Sequence, residues 1–164
     1  MSAPRQTIII RADLSRPEHA QALIRLMDEY ASDPMGGGTG LSDYAKANLV
    51  STLQKRAGAH TLLAQRAGEF VGLLNAFEGF STFACQPLLN IHDIVVTQTR
   101  RGQGISRLLM QQAENLAREL GCCKLTLEVL EGNHKAQAAY ASLGYAPYEL
   151  DPQMGQAQFW QKLL

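Results

Sequence analysis

Two hydrophobic rhythms, one of period two and one near 3.6, follow each other along the chain, and the changes between them mark its elements. Residues 7–11 (TIIIR) predict a first strand with buried isoleucines. Ser15, Pro17 and Glu18 predict a helix start with Ser15 as cap, and Leu23, Leu26, Met27 and Tyr30 give that helix an apolar stripe to about Ala31. Residues 33–40 (DPMGGGTG) suit neither helix nor strand and predict a mobile loop. Ser42 or Asp43 opens a second helix through Tyr44, Leu49 and Leu53. Residues 60–66 and 69–77 predict a hairpin around Ala67-Gly68. Residues 78–89 are less regular: Phe80, Thr82 and Phe83 extend the strand, whereas Pro87 points to an edge or a loop.

The stretch from 91 to 120 organises the rest. Residues 91–96 form an apolar run interrupted only by His92 and Asp93, a strand pattern in which alternation puts those two on opposite faces. A polar turn, 97–101, leads into Gly102-Gln103-Gly104. Ile105, Leu108, Leu109, Ala113, Leu116, Ala117 and Leu120 then recur at helical spacing, and Gly121 closes the helix. Residues 124–130 predict a strand with Leu125, Leu127 and Val129 on one face, Thr126 and Glu128 on the other. A helix over 134–143 ends at Gly144, and residues 145–150 and 157–164 predict two last strands. The order β-α-α-β-β-β-α-β-α-β-β implies an α/β (α+β) fold with a mixed central sheet flanked by helices.

Composition narrows the class. At 164 residues the chain reads as a single domain, 1–164, able to bury about two thirds of its unfolded surface. With a net charge of zero it offers no broad attraction to nucleic acid or an anionic membrane, although Arg100, Arg101 and Arg107 form a local basic cluster. Three cysteines, two of them the adjacent Cys122 and Cys123, fit reduced buried thiols. There is no metal-ligand spacing, no signal-peptide core and no membrane-length apolar run, so a cytoplasmic protein without a metal is expected.

A strand, a glycine-rich turn and a helix in succession aim backbone N–H groups and a helix dipole at one point, an anion site suited to phosphate. A triphosphate loop would need Lys and Ser/Thr after its last glycine, but Ile105 and Ser106 follow Gly104. A dinucleotide fingerprint would need a third glycine where Arg107 stands. Arg101-Gly102-Gln103-Gly104-Ile105-Ser106 instead resembles the pyrophosphate motif of the GNAT superfamily of acyl-CoA-dependent N-acetyltransferases, Arg/Gln-x-x-Gly-x-Gly/Ala, departing from it at Ser106. Asn133, Ala136, Tyr140, Gly144 and Tyr145 resemble the superfamily's helix beside the CoA arm.

The resemblance implies acetyl-CoA as donor and a small-molecule amine as acceptor, joined by direct attack in a ternary complex. It places the pyrophosphate on residues 102–107, with Arg101 nearby, and the pantetheine arm along Ile94, Val95 and Val96. It implies an oxyanion donor near Val95 or Val96 and an acid at Tyr140; Asn133 and Ala136 flank the arm. His92 is the first choice of base, because its reference pKa near ~6.5 suits neutral pH, and Glu128 is the second. Asp93 is left a structural role. An acidic bias at Asp28, Glu29, Asp33 and Asp43 suits a cationic acceptor. A protein or peptide acceptor and a catalytically silent acyl-CoA sensor are the alternatives, and Phe159 and Trp160 suggest a homodimer face.

Overall fold

Ala67 and Gly68 both take positive φ, 56° and 84°, the backbone a two-residue hairpin needs to match the twist of its strands. They join β2 (Ala59–Arg66) to β3 (Glu69–Ser81). β1 (Thr7–Arg11) pairs antiparallel with β2, β3 with β4 (Gln86–Val96), and β5 (Leu125–Leu127) lies parallel to β4 at the other edge. The five-stranded sheet therefore runs in chain order. Among the described residues four α-helices accompany the sheet: α1 (Pro17–Ser32), α2 (Asp43–Lys55), α3 (Ile105–Glu119) and α4 (His134–Ala141). This computed structural model describes residues 6–164, and the chain divides into two compact units, Met1–Leu127 and Glu128–Leu164.

Both faces of the sheet are covered. Leu63, Leu73 and Val95 point to one side and pack on Ala22, Leu23 and Leu26 of α1, with Leu49, Val50 and Leu53 of α2 at the margin. Leu62, Leu74, Ala76 and Val96 alternate to the other side, where α3 presents Ile105, Leu109, Met110, Ala113, Leu116 and Ala117. α3 sits close because Gly72 lies beneath it: a Cβ there would stand 3.3 Å from the Leu109 side chain and 3.1 Å from the Val95 carbonyl oxygen. Leu109 is fully buried in this layer. Leu109→Ala should therefore cost about 2–5 kcal/mol, the transfer term plus an unrelaxed cavity, read as a lower urea midpoint at unchanged slope.

Several boundaries differ from the sequence reading. Ser15 does not cap α1; it bonds back to Asp13, and Arg16 precedes Pro17, whose missing N–H costs nothing in the first turn. Ser42 does cap α2, accepting from the Ala45 N–H at 3.1 Å. β3 continues past Phe77 to Ser81, the extension that Phe80 suggested, β4 begins at Gln86 rather than Ile91, and Pro87 fits inside β4 because β5 begins opposite Leu89. The strand expected over 124–130 shrinks to Leu125–Leu127. The last two strands are not formed: one isolated bridge, Glu149 to Gln156, is all that joins those segments. Pro147 falls inside the first of them, and an apolar alternation without a laddered neighbour has no backbone partners to fix it. The cysteines are free as expected, yet Cys85 and Cys123 are exposed.

Candidate active site

β4 is the strand on which the site is built. Its pairing with β5 covers only Leu89 to Ile91, so the same edge from residue 92 onward has no strand beside it. Which amides face that edge follows from the antiparallel ladder with β3. The Thr97 N–H donates to the Val71 carbonyl at 2.9 Å, and alternation then turns Val95 toward β3 as well. Ile94 and Val96 therefore turn their N–H and C=O groups to the open side. The Val96 carbonyl there accepts from Arg101 Nε at 3.0 Å, which leaves its N–H outward. Of the three residues expected along an acyl arm, Ile94 and Val96 thus carry the outward backbone donors and Val95 does not.

This parity exists because of a bulge. Asn75 pairs with Asp93 while the next β3 residue, Ala76, pairs with Ile91, so His92 is an extra residue in β4. An extra residue shifts every later amide by one place and puts two side chains opposite one. His92 and Asp93 consequently share a face, contrary to the strict alternation expected. The His92 ring lies edge-on to Phe77 at 5.4 Å, and Asp93 accepts from Asn75 Nδ2 at 3.0 Å. The β4–β5 ladder also ends here, its last pair being Ile91 with Leu127. Glu128, expected on that strand, lies past its end in the second unit.

Beyond Val96 the chain reaches the glycine turn. Gly102 and Gly104 adopt φ of 76° and 77°, and a Cβ on either would meet open space. Gly104 is the N-cap of α3, and no side chain caps the helix. The first-turn amides, from Ile105 to Arg107, carry the positive end of the helix dipole, and the turn that leads into them is tied to the open edge of β4 by the Arg101–Val96 bond. Gln103 is held from the β2 side by Arg66 at 2.6 Å.

Carboxylates at the end of α1 clasp this turn. Glu29 accepts from the Thr97 hydroxyl at 2.8 and 2.9 Å and from the Gln98 N–H at 2.9 Å. Asp33 accepts from Arg101 at 3.0 Å, and the Met35 N–H with Arg101 holds its carboxyl below the usual aspartate range. Asp28 is engaged by the Leu41 N–H and Lys46, with the same effect on its pKa. The acidic bias seen in the sequence is therefore largely spent in fastening the α1–α2 loop, and Arg101 is committed within the same network. These bonds span up to 69 residues of chain, and no local pattern announces them. A lone asparagine in the apolar run VGLLNAF was the one available signal for Asn75.

In the second unit, Asn133 caps α4 through its side chain, accepting from the Ala136 N–H at 3.2 Å. Tyr140, half-buried about two turns on, has its ring 6.2 Å from that of Tyr145. Among the described residues no cluster suited to a metal ion occurs, and no helix is long and apolar enough to cross a membrane.

Comparison with known proteins agrees with this geometry. Residues 21–145 match the acetyltransferase (GNAT) family. The chain is 42% identical over 80 residues to streptothricin acetyltransferase of Streptomyces lavendulae, a match spanning 49% of this chain and 42% of that protein. It is 27% identical over 135 residues to thialysine N-epsilon-acetyltransferase of Caenorhabditis elegans, covering 79% and 78% of the two chains. Among solved structures, a probable acetyltransferase superposes with a TM-score of 0.80 at 20% identity, over 96% of this chain and 98% of that one. An aminoglycoside acetyltransferase from an uncultured soil sample, in complex with sisomicin, gives 0.75 at 18% identity over 96% and 97%. At such identities the structural likenesses speak for the fold. The family match covers most of the chain, and it settles the class: this protein belongs to the GNAT acetyltransferase family and is an acyltransferase enzyme.

Proposed function

We propose that residues 1–164 act as one N-acetyltransferase domain that moves the acetyl group of acetyl-CoA to a primary amine of a small molecule, by direct attack in a ternary complex. The observation that carries this reading is the bond from Arg101, in the turn before the uncapped start of α3, to the outward Val96 carbonyl on the open edge of β4. An extended pantetheine arm adds to the open edge as a strand would, and its pyrophosphate then meets the helix N-terminus. The Val96 N–H faces the thioester oxygen and stabilises the oxyanion as it forms, an effect on the order of 100-fold or more in rate for one such donor. The amine enters protonated, since its reference pKa is near ~10.4, and His92 accepts its proton before attack. The C–N bond forms and the C–S bond breaks; Tyr140 supplies a proton to the departing thiolate, and the second proton that the nitrogen releases as it becomes an amide restores the phenol. The names of the aminoglycoside, streptothricin and thialysine relatives support a small cationic acceptor.

Calorimetric titration tests the donor half. Acetyl-CoA should bind one-to-one, and S-acetylpantetheine, which lacks the pyrophosphate, at least about 100-fold more weakly, since several charge-assisted bonds are lost. Equal affinity for the two would remove the glycine turn and the α3 N-terminus from the site.

A further inference from the structure

Crossing the sheet beneath α1 is a row of polar side chains that the reading above does not use. Thr61 Oγ1 donates to Asn75 Oδ1 at 2.7 Å, and Asn75 Nδ2 donates to Asp93 Oδ2 at 3.0 Å. The second hydrogen on Nδ2 points to Met27 Sδ at 3.4 Å. Asn75 is only 3% exposed, in the middle of a strand otherwise apolar at that depth. A buried amide on a sheet face is costly unless each of its groups is paired, and here each is. The pairing also fixes which way the amide points. An ionised carboxylate can only accept, so the N–H belongs toward Asp93, which leaves Oδ1 toward Thr61, whose hydroxyl donates to it.

The row ends at a carboxylate with an open oxygen. Asp93 is half-buried, and among the described residues Oδ1 receives no hydrogen bond or ion pair. Tyr30 of α1 packs against the core on this face, and burial, with the charges of Asp93 and Asp33, holds its phenol above its ordinary pKa. His92 is brought to the same face by the bulge. The structure thus assigns Asp93 as the residue that receives the ammonium group of a cationic acceptor, with Asn75 as the positioning residue that aims it. This assignment rests on the acetyltransferase reading and adds the charge class of its substrate. A half-desolvated carboxylate holds an ammonium more strongly than one in water, because the local dielectric is lower. Asp93 binds the cation and His92, one residue away, takes the proton; the neutral amine then attacks.

The test compares acceptors of different charge. Turnover is measured near neutral pH with lysine, spermidine and sisomicin as cationic acceptors and with p-anisidine as a neutral arylamine. Asp93→Asn keeps the shape and still accepts from Asn75. It should raise KM for the cationic acceptor that the parent uses about 10- to 100-fold more than KM for the arylamine, the loss of one charged hydrogen bond. Acetyl-CoA affinity by calorimetry should stay the same. Asn75→Leu, similar in volume, should move the same KM ratio in the same direction with less effect on kcat, which a purely structural role would not do. An unchanged KM ratio in Asp93→Asn, with acetyl-CoA still bound, overturns the assignment alone. Failure of the parent protein to bind acetyl-CoA would instead overturn the reading beneath it. A parent that binds acetyl-CoA and acetylates none of the cationic amines also overturns the assignment.

Discussion

Gly104→Glu should abolish acetyl-CoA binding while leaving the protein folded. Gly104 sits at φ 77°, so any side chain there carries about 1–2 kcal/mol of left-handed strain. A typical domain holds 5–15 kcal/mol in reserve, so the variant folds, with a Tm lower by roughly 2–8 °C for a chain of this size. The added Cβ meets no protein atom within 4 Å, so the new carboxylate projects into the space before α3. That space is where the helix dipole and first-turn amides favour an anion, and where the pyrophosphate is proposed to lie. Two negative groups forced together cost several kcal/mol, hence a loss of more than about 100-fold in affinity. Gly104→Gln carries the same strain and nearly the same bulk without the charge, so the ratio of the two dissociation constants isolates the electrostatic part. Calorimetry on both variants checks it. If the Glu and Gln variants bind acetyl-CoA alike, no anion occupies the turn.

The turn and its helix could be read from the sequence because both are local. The α3 periodicity falls within 15 residues, and Gly102 and Gly104 are the residues that its positive-φ positions require. The bulge at His92 is different in kind. It is defined by the register of β4 against β3, and nothing in the residues 91–96 says that one of them is unpaired. Yet it decides which amides face the open edge and puts Asp93 on the face of His92. Arg101 shows a related limit. Its place in the motif marks it as a phosphate neighbour, but its partners are Val96 five residues away and Asp33 at a separation of 68. The end of the chain shows the converse. Phe159 and Trp160 look like strand residues by propensity, whereas a strand also needs a neighbour, and only Glu149 and Gln156 bridge there. Strong local pattern was enough for the helices and the glycine turn; wherever a partner strand or a distant carboxylate decides, it was not.

Those limits bear on the residue whose role depends most on resemblance. Tyr140→Phe should lower kcat by about 100-fold or more while acetyl-CoA affinity changes less than about threefold, the split expected when only a proton donor to the leaving group is removed. The change is conservative in volume, and the ring contact with Tyr145 survives it. The α4 cap also survives, because it is made by Asn133 seven residues earlier. The expected size follows from the leaving group. A thiol has a reference pKa near ~8.5 and leaves as a thiolate unless something protonates it, whereas an amine nucleophile expelled from the same intermediate regenerates reactants. A phenol, near ~10, is a weak acid for full transfer but a strong hydrogen-bond donor to a developing thiolate, and such donors act in the transition state rather than in the ground state. The penalty should therefore shrink with a donor whose thiol is more acidic than that of CoA, because a better leaving group needs less help. Steady-state turnover of the acetyl thioesters of CoA and of an arylthiol checks this directly. Equal losses with both donors would mean that Tyr140 shapes the site without touching the sulfur. An unchanged kcat with acetyl-CoA would remove Tyr140 from the chemistry altogether, leaving the thiolate to be protonated by the amine's own proton, returned through His92.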